Sequence, residues 1–312
     1  MTASALAVRL AADLPGAVEQ NVTLDRFTTY RLGGPAAIFV ELATEDDLER
    51  VAGVLATADA EVLVVGRGSN LVVSDEGWPG VVLHLGKGFT KIAEIDGGIR
   101  AGGATALPVL ANWCARRGLA GLEFAIAIPG SVGGAVRMNA GAHGREISDA
   151  LTAVAIVDVA AGARVERPAA SLELAYRHSN LTDPDVVVHA DFHVDQGDPA
   201  TVRERLESYR RHRAETQPGA AQNAGSVFRN PPGDHAGRLV EAAGLKGFRV
   251  GGASVSDLHA NFFIAERGAR AQDVFDLVHE VRTRVRARSG VDLQPEIRFV
   301  GRFEQRVGEP SP

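Results

Sequence analysis

Between Ala125 and Ala142 the chain reads AIAIPGSVGGAVRMNAGA, with four glycines (Gly130, Gly133, Gly134, Gly141), one proline and a single charge, Arg137. Ordered glycine costs conformational entropy, so a set this dense needs a reason for keeping side chains away from the backbone. A second glycine turn, GRGSN at 66–70, follows the apolar run EVLVV. Tight turns of this kind line up successive N–H groups in concave nests that hold phosphate oxygens. The missing Cβ atoms let a pyrophosphate approach, and Ser69, Asn70 and Ser131 add side-chain donors. The familiar nucleotide signatures are absent. Gly66 and Gly68 are followed by Leu71 where a dinucleotide fingerprint needs a third small residue, and no Gly-Lys-Ser/Thr P-loop occurs. Either turn alone is equally well read as a hairpin or bulge. Two of them, each after a strand-like run, point to a split pyrophosphate site.

The rest of the chain alternates strand and helix signals, an α+β pattern. AAIFVEL predicts a strand. Thr44 with Asp47 three residues on predicts a helix start, and Leu48, Val51, Ala52 and Leu55 share its apolar face. Residues 86–200 read as short strands and turns interrupted by one helix, whose stripe is Leu107, Leu110, Ala111 and Cys114 and whose cap is Gly118. Cys114 on that stripe is a core residue in this reading. Residues 201–217 form a charged, solvated helical connector. After it, FFIA, a long helix with the stripe Val274, Leu277, Val278, Val281 and Val285, and LQPEIRFVG predict strand, helix, strand. The tail from Glu304 is expected to fray.

Composition bounds the partners. With 33 basic and 39 acidic residues the net charge is −6, which excludes a large nucleic-acid face and a polybasic membrane anchor. A single cysteine allows no disulfide framework and no thiolate metal cluster, as in a reducing cytoplasm, and no metal site is expected. The N-terminus carries Arg9 and Asp13 inside its apolar stretch and lacks a basic n-region, so it does not read as a signal peptide. The uncharged run between Glu123 and Arg137 is 13 residues, too short for a membrane span. A soluble cytoplasmic protein is the expectation.

Seven stretches, in order over residues 20–301, carry a resemblance: TTYRLGGPA at 28–36, GRGSNLVVSD at 66–75, IPGSVGGAVRMNAGAHGREI at 128–147, LAYRHSNL at 174–181, GSVFRNP at 225–231, AGRLVEAAGLKG at 236–247 and LQPEIRFVG at 293–301. The chain resembles the bacterial cell-wall flavoproteins of the UDP-N-acetylenolpyruvoylglucosamine reductase (UDP-N-acetylmuramate dehydrogenase) family. It looks like the type lacking an extra loop with a substrate-clamping tyrosine, since only residues 180–200 separate the arginine segment from the connector. The resemblance implies a two-part PCMH-type FAD-binding unit (1–85 and 86–200), the connector (201–217), a separate α+β substrate-binding domain (218–303) and a tail (304–312). It implies noncovalent FAD, its pyrophosphate held at Gly66, Arg67, Gly68, Ser69, Asn70, Pro129, Gly130, Ser131, Gly133 and Gly134, with Gly141 and Gly144 alongside.

The implied reaction reduces UDP-N-acetylglucosamine enolpyruvate to UDP-N-acetylmuramate for peptidoglycan precursor synthesis, with hydride passing from NADPH by way of FAD to the enol ether. Negative charge builds beside the substrate carboxylate, and a proton must reach the same carbon. Arg177 matches the family's cation for that charge; arginine stays ionised and grips a carboxylate with two donors. Ser226 matches the proton donor and Glu296 the third catalytic position. Arg229, where the family usually has lysine, and Asn230, Lys246 and His259 match substrate-binding positions. Arg137 stands where an aromatic or small residue is commoner, so that it either lies near the flavin or faces water. Without the resemblance, Arg177 reads as a surface ion pair, Ser226 as a turn serine and Glu296 as a strand-edge glutamate. Two rivals remain open at this point: another PCMH-type FAD oxidoreductase with a different substrate, and a nonenzymatic nucleotide-sugar or flavin-binding protein. Oligomeric state is not legible in the sequence.

Overall fold

A computed structural model describes residues 2–219 and 221–305. Of the expected tail, residues 306–312 lie outside the described residues. The chain divides into two compact units, Met1–Val22 with Ala37–Arg67 and Gly80–Arg213, and Thr23–Ala36 with Gly68–Pro79 and Ala214–Pro312.

The first unit holds helices α1 (Ala3–Asp13), α2 (Glu45–Leu55), α3 (Leu107–Arg116), α4 (Val132–Met138) and all but the last turn of α5 (Pro199–Thr216). α2 starts where Thr44 and Asp47 predict it: Thr44 Oγ1 accepts from Asp47 N at 3.1 Å and the Asp47 carboxylate accepts from Thr44 N at 2.9 Å. Its face Leu48, Val51, Ala52 and Leu55 is buried, with α1 residues Leu6 and Leu10 and strand residues Ile38, Val40 and Leu83, in one core. A second core gathers the α3 stripe Leu107, Leu110, Ala111 and Cys114 against Val154, Ala190 and Phe192 of an antiparallel five-stranded sheet. That sheet runs Ala163–Pro168, Leu151–Asp158, Asp185–Phe192, Gly98–Gly102, Ile92–Ile95. Gly118 takes φ +69° just after α3, as a helix stop requires. α5 buries only Val202 and Leu206, the solvated helix its charges predict.

One element departs from the expectation that residues 86–200 contain a single helix. PGSVGG is not a free turn: it leads into α4, because Ser131 adopts extended backbone and its hydroxyl accepts from Gly134 N at 3.4 Å, an N-cap.

The second unit is built on α6 (Ala236–Ala242) and α7 (Ala271–Ser289), a three-stranded sheet (Arg249–Val250, Ala253–Val255, Phe263–Ala265) and a parallel pair of Leu71–Val73 with Arg298–Val300. The predicted α7 stripe Val274, Leu277, Val278, Val281 and Val285 is buried throughout. Tyr30, Leu32 and Val72 join the same core, and Tyr30 Oη donates to Phe263 O at 3.2 Å. The blocks read from the sequence are contiguous, whereas the compact units interleave. Residues 23–36 and 68–79 group with the C-terminal segment, whose core takes in Tyr30, Leu32 and Val72.

Candidate active site

In the first unit the two glycine segments meet. Strand Val62–Val65, paired in parallel with Trp78–Leu85, ends at Gly66. A Cβ at Gly66 would strike Ser131 Oγ, and Arg67 Nε donates to Pro129 O at 3.0 Å. Gly66, Arg67, Pro129 and Ser131 are therefore neighbours although more than 60 positions separate them, as the split site requires.

The donors are distributed unequally between the two turns. In α4 the first N–H groups are committed to protein: Val132 N to Thr105 O at 2.9 Å, Gly133 N to Gly103 O at 2.8 Å and Gly134 N to the Ser131 hydroxyl. Among the described residues no protein acceptor takes the N–H groups of Arg67, Gly68 or Ser69. The glycines also differ in their reasons. Gly68, at φ +56°, is pressed on Phe27 O, so protein packing demands it. A Cβ at Gly134 would meet only Ser131 Oγ at 3.5 Å, an ordinary contact, and Gly134 is exposed. Helical glycine costs about 1 kcal/mol relative to alanine. Protein packing does not require it at Gly134. In the first unit Arg67 and Gly134 thus fit an anionic, close-lying group such as the FAD pyrophosphate, and in the second unit Gly68 and Ser69 hold N–H groups of the same kind. Asn70 has a structural duty: its Nδ2 donates to Glu296 O at 3.1 Å and its own carbonyl accepts from Arg298 N at 2.9 Å.

Gly141 and Gly144 belong to a small hairpin in which Gly141–Ala142 pairs with Arg145–Glu146. Its two turn residues, His143 and Gly144, have φ of +54° and +74°, the two positive values a tight hairpin turn calls for. A Cβ at Gly141 would lie 2.5 Å from Arg145 O and 2.8 Å from Glu146 Cγ, so the hairpin itself demands this glycine.

Arg177 stands against that hairpin. It occupies a turn closed by Ala175 N to His178 O at 3.2 Å and His178 N to Ala175 O at 2.9 Å, with φ +54°. Its Nη2 donates to Gly141 O at 3.3 Å, its Nη1 lies 3.6 Å from Glu146 Oε1, and its Cζ sits 4.8 Å from the Tyr176 ring centroid. Asn139, buried and left-handed at φ +40°, donates from Nδ2 to Glu146 Oε2 at 2.9 Å and to Ala175 O at 3.0 Å, and accepts Ser148 N at 2.9 Å. Arg137 resolves between its two readings. Its guanidinium binds Asp183 Oδ1 at 2.7 Å and Thr182 O, and its carbonyl accepts the Ser179 hydroxyl at 2.7 Å, so it fastens the segment that follows Arg177.

In the second unit Ser226 and Glu296 lie on adjacent extended segments. Glu296 N donates to Val227 O at 2.7 Å, Ser226 bridges Phe262, and Phe228 bridges Pro295. Val227 and Ile297 are buried in the core, whereas Ser226 and Glu296 are half-buried. Asn261 fastens the serine segment. Its Oδ1 accepts Phe228 N at 2.9 Å, its Nδ2 donates to Phe228 O at 2.8 Å, and its carbonyl accepts Val227 N at 2.8 Å. Gly225, at φ +75°, lets the chain turn into this segment. The Arg229 Nε is buried and has no hydrogen-bond acceptor among the described residues, an arrangement that a bound anion would complete. Asn230 Oδ1 accepts Ala236 N at 3.0 Å at the start of α6, and Lys246 Nζ donates to Glu241 at 2.8 Å. His259 packs edge-on to Phe262 and accepts Asn261 N at Nδ1, 3.2 Å; burial, and secondarily the Lys246 charge, pull its pKa down.

Comparison with known proteins decides the family. Residues 217–300 match the model described as the UDP-N-acetylenolpyruvoylglucosamine reductase C-terminal domain, and residues 36–166 match an FAD binding domain. The UDP-N-acetylenolpyruvoylglucosamine reductase of Heliobacterium modesticaldum is 42% identical over 295 residues, 94% of each chain. The Bacillus subtilis enzyme of that name is 40% identical over 289 residues, 92% of this chain and 95% of the relative. The chain belongs to the UDP-N-acetylenolpyruvoylglucosamine reductase family. The crystal structure of the Thermus caldophilus reductase superposes with a TM-score of 0.80 at 37% identity, covering 91% of this chain and 99% of that one. The fold is accordingly a PCMH-type FAD-binding domain with a separate C-terminal domain, and the reductase is an FAD-dependent oxidoreductase.

Sequence reading missed Asn139, Glu146, Tyr176 and Asn261. Asn139 carried a signal, since asparagine beside small residues readily takes the left-handed conformation. Glu146 carried none: in HGRE it is indistinguishable from a surface glutamate.

Proposed function

We propose that this reductase acts on UDP-N-acetylglucosamine enolpyruvate with NADPH, in the cytoplasm, and that Arg177, Ser226 and Glu296 carry the chemistry. Bound FAD supplies the hydride relay between NADPH and the enol ether. The observation that supports the residue assignment is the 2.7 Å bond from Glu296 N to Val227 O, which brings the Ser226 and Glu296 segments against each other. Arg177 grips the substrate carboxylate and stabilises the charge that builds next to it, where water is scarce and a preorganised cation acts most strongly. Ser226 Oγ delivers the proton to the same carbon. A positioned general acid contributes about 10²–10⁴-fold, or roughly 3–5 kcal/mol off the barrier. Glu296 orients the carboxylate end of the substrate by hydrogen bonding. Arg229, with its unaccepted buried Nε, binds the UDP diphosphate with Asn230, Lys246 and His259; its planar fork replaces the point charge of the family's lysine. Arg67, Gly68 and Ser69 bind the FAD pyrophosphate through their N–H groups, and Gly134 leaves room for it. A cytoplasmic place accords with a nucleotide-sugar substrate and NADPH. Among the described residues no helix is long and apolar enough to cross a membrane.

The test is spectroscopic. The purified protein is yellow, bleaches anaerobically with NADPH, and recovers its colour on adding UDP-N-acetylglucosamine enolpyruvate. Ser226→Ala bleaches normally and recovers at least about 100-fold more slowly. Recovery of the variant at the wild-type rate would remove Ser226 from the role of proton donor.

A further inference from the structure

Arg177 is held by a device that none of the assigned residues includes. Its guanidinium touches the Gly141–Glu146 hairpin twice, through Gly141 O at 3.3 Å and Glu146 Oε1 at 3.6 Å. The Glu146 carboxylate is not a free surface group. Its other oxygen accepts Asn139 Nδ2 at 2.9 Å, and the carboxylate also accepts the backbone N–H of Asp149 in a capping box. The same Asn139 amide donates to Ala175 O at 3.0 Å, the first residue of the turn that carries Arg177. One buried amide therefore ties the base of the arginine's turn to the carboxylate that faces the arginine's tip. The backbone of the hairpin has other anchors: the Gly141–Glu146 pairing, Ser148 N on Asn139 Oδ1 at 2.9 Å, and Glu146 N on Asp149 Oδ2 at 3.0 Å. The charge on Glu146 is therefore not what closes the loop.

We propose that Glu146 is a positioning residue for Arg177: its Asn139-anchored carboxylate aims the guanidinium at the substrate carboxylate. This rests on the reading of Arg177 above. The geometry suits aiming rather than neutralising. Arg177 Nη1 lies 3.6 Å from Glu146 Oε1, close enough for the Coulomb attraction to act on the fork. The arginine side chain is 16% exposed and the glutamate 30%, so the attraction is only partly screened. Arg177 at φ +54° on a tight turn has little backbone freedom, which leaves the side-chain torsions for Glu146 and Tyr176 to set. The substrate carboxylate is then met by a cation already in place, and the benefit falls on the step where charge develops rather than on binding.

The test uses FAD-loaded protein and separates the two half-reactions. Glu146→Gln keeps the shape and removes the charge. It is expected to hold wild-type FAD content and wild-type flavin reduction by NADPH, and to slow reoxidation by UDP-N-acetylglucosamine enolpyruvate about tenfold, as misaimed groups do. The KM for that substrate does not rise, because a negative charge near its carboxylate has been removed. Glu146→Asp, which keeps the charge on a shorter arm, recovers part of the loss, and Glu146→Gln adds little further loss when Arg177 is already lysine. An unchanged reoxidation rate in Glu146→Gln, with Arg177→Lys slow, overturns the positioning role and leaves Arg177 standing. Equal slowing of both half-reactions with loss of FAD also overturns it, because that is the mark of a loop merely destabilised. Wild-type reoxidation in Arg177→Lys overturns the reading of Arg177 and this proposal with it.

Discussion

Gly134→Ala separates a glycine kept for packing from one kept for a ligand. The added methyl group would meet one protein atom, Ser131 Oγ at 3.5 Å, so it enters without a clash. Gly134 is the third residue of α4, exposed, and not in a positive-φ conformation. Alanine there stabilises the FAD-free protein by about 0.5–1 kcal/mol, from helix propensity and the reduced freedom of the unfolded chain. For a unit of this size that is a rise of about 1–4 °C in Tm. In the cofactor-bound protein the sign reverses, because the methyl group occupies the space the FAD pyrophosphate needs. A tenfold loss of FAD affinity corresponds to about 1.4 kcal/mol and is the least expected. The measurements are thermal melts of FAD-stripped and reconstituted protein, with FAD titration by flavin fluorescence. Gly68→Ala is the contrast: at φ +56° and pressed on Phe27 O, it lowers the Tm of both forms. If Gly134→Ala bound FAD as tightly as wild type, the argument that this glycine faces the cofactor would fail. If it melted lower when FAD-free, the packing argument would fail instead.

Two further outcomes follow from burial. The Cys114 thiol, buried on the α3 stripe and pushed up to about 12 chiefly by desolvation, stays unreactive toward a thiol reagent at pH 8 until the protein is unfolded; stoichiometric labelling of the native protein would refute its core placement. His189, largely buried in the five-stranded sheet, has its pKa lowered from 6.5, first by desolvation and then by Arg100. Below pH 6.5 the unfolded chain takes up a proton that the folded one resists, so this contribution to stability is intact above that pH and lost as the pH falls toward the lower folded value. Urea titrations from pH 7 to 5 should show a fall that His189→Gln lessens, and identical slopes in the two proteins would count against it.

Much of the candidate site can be read from residues alone wherever a local rule applies. The Thr44–Asp47 capping box, the apolar stripes of α3 and α7, and the stop at Gly118 depend on spacings of three to four positions, which local backbone geometry imposes on any chain. The ordered motifs likewise carry the family, with Arg177, Ser226 and Glu296 named among their members. Glycine density marked a candidate cofactor region, yet it could not tell Gly68 and Gly141, demanded by Phe27 O and by the hairpin, from Gly134, which protein atoms leave alone. That difference depends on what lies across space from each Cα, and a linear pattern does not contain it.

Sequence by itself determined most of the elements and their apolar faces, since these follow from residue type and from neighbours within a turn or a strand, and its ordered motifs named the candidate reacting groups. Tertiary structure decided that Gly66 faces Ser131, that the segments of Ser226 and Glu296 run beside each other, and that Asn139 and Glu146 stand behind Arg177. It also placed Tyr30 and Val72 in the core of the C-terminal segment. Each of these is a contact between positions far apart or on different elements, made because exposed apolar area is minimised over the whole chain at once and each buried polar group must then find its partner wherever the fold has brought one.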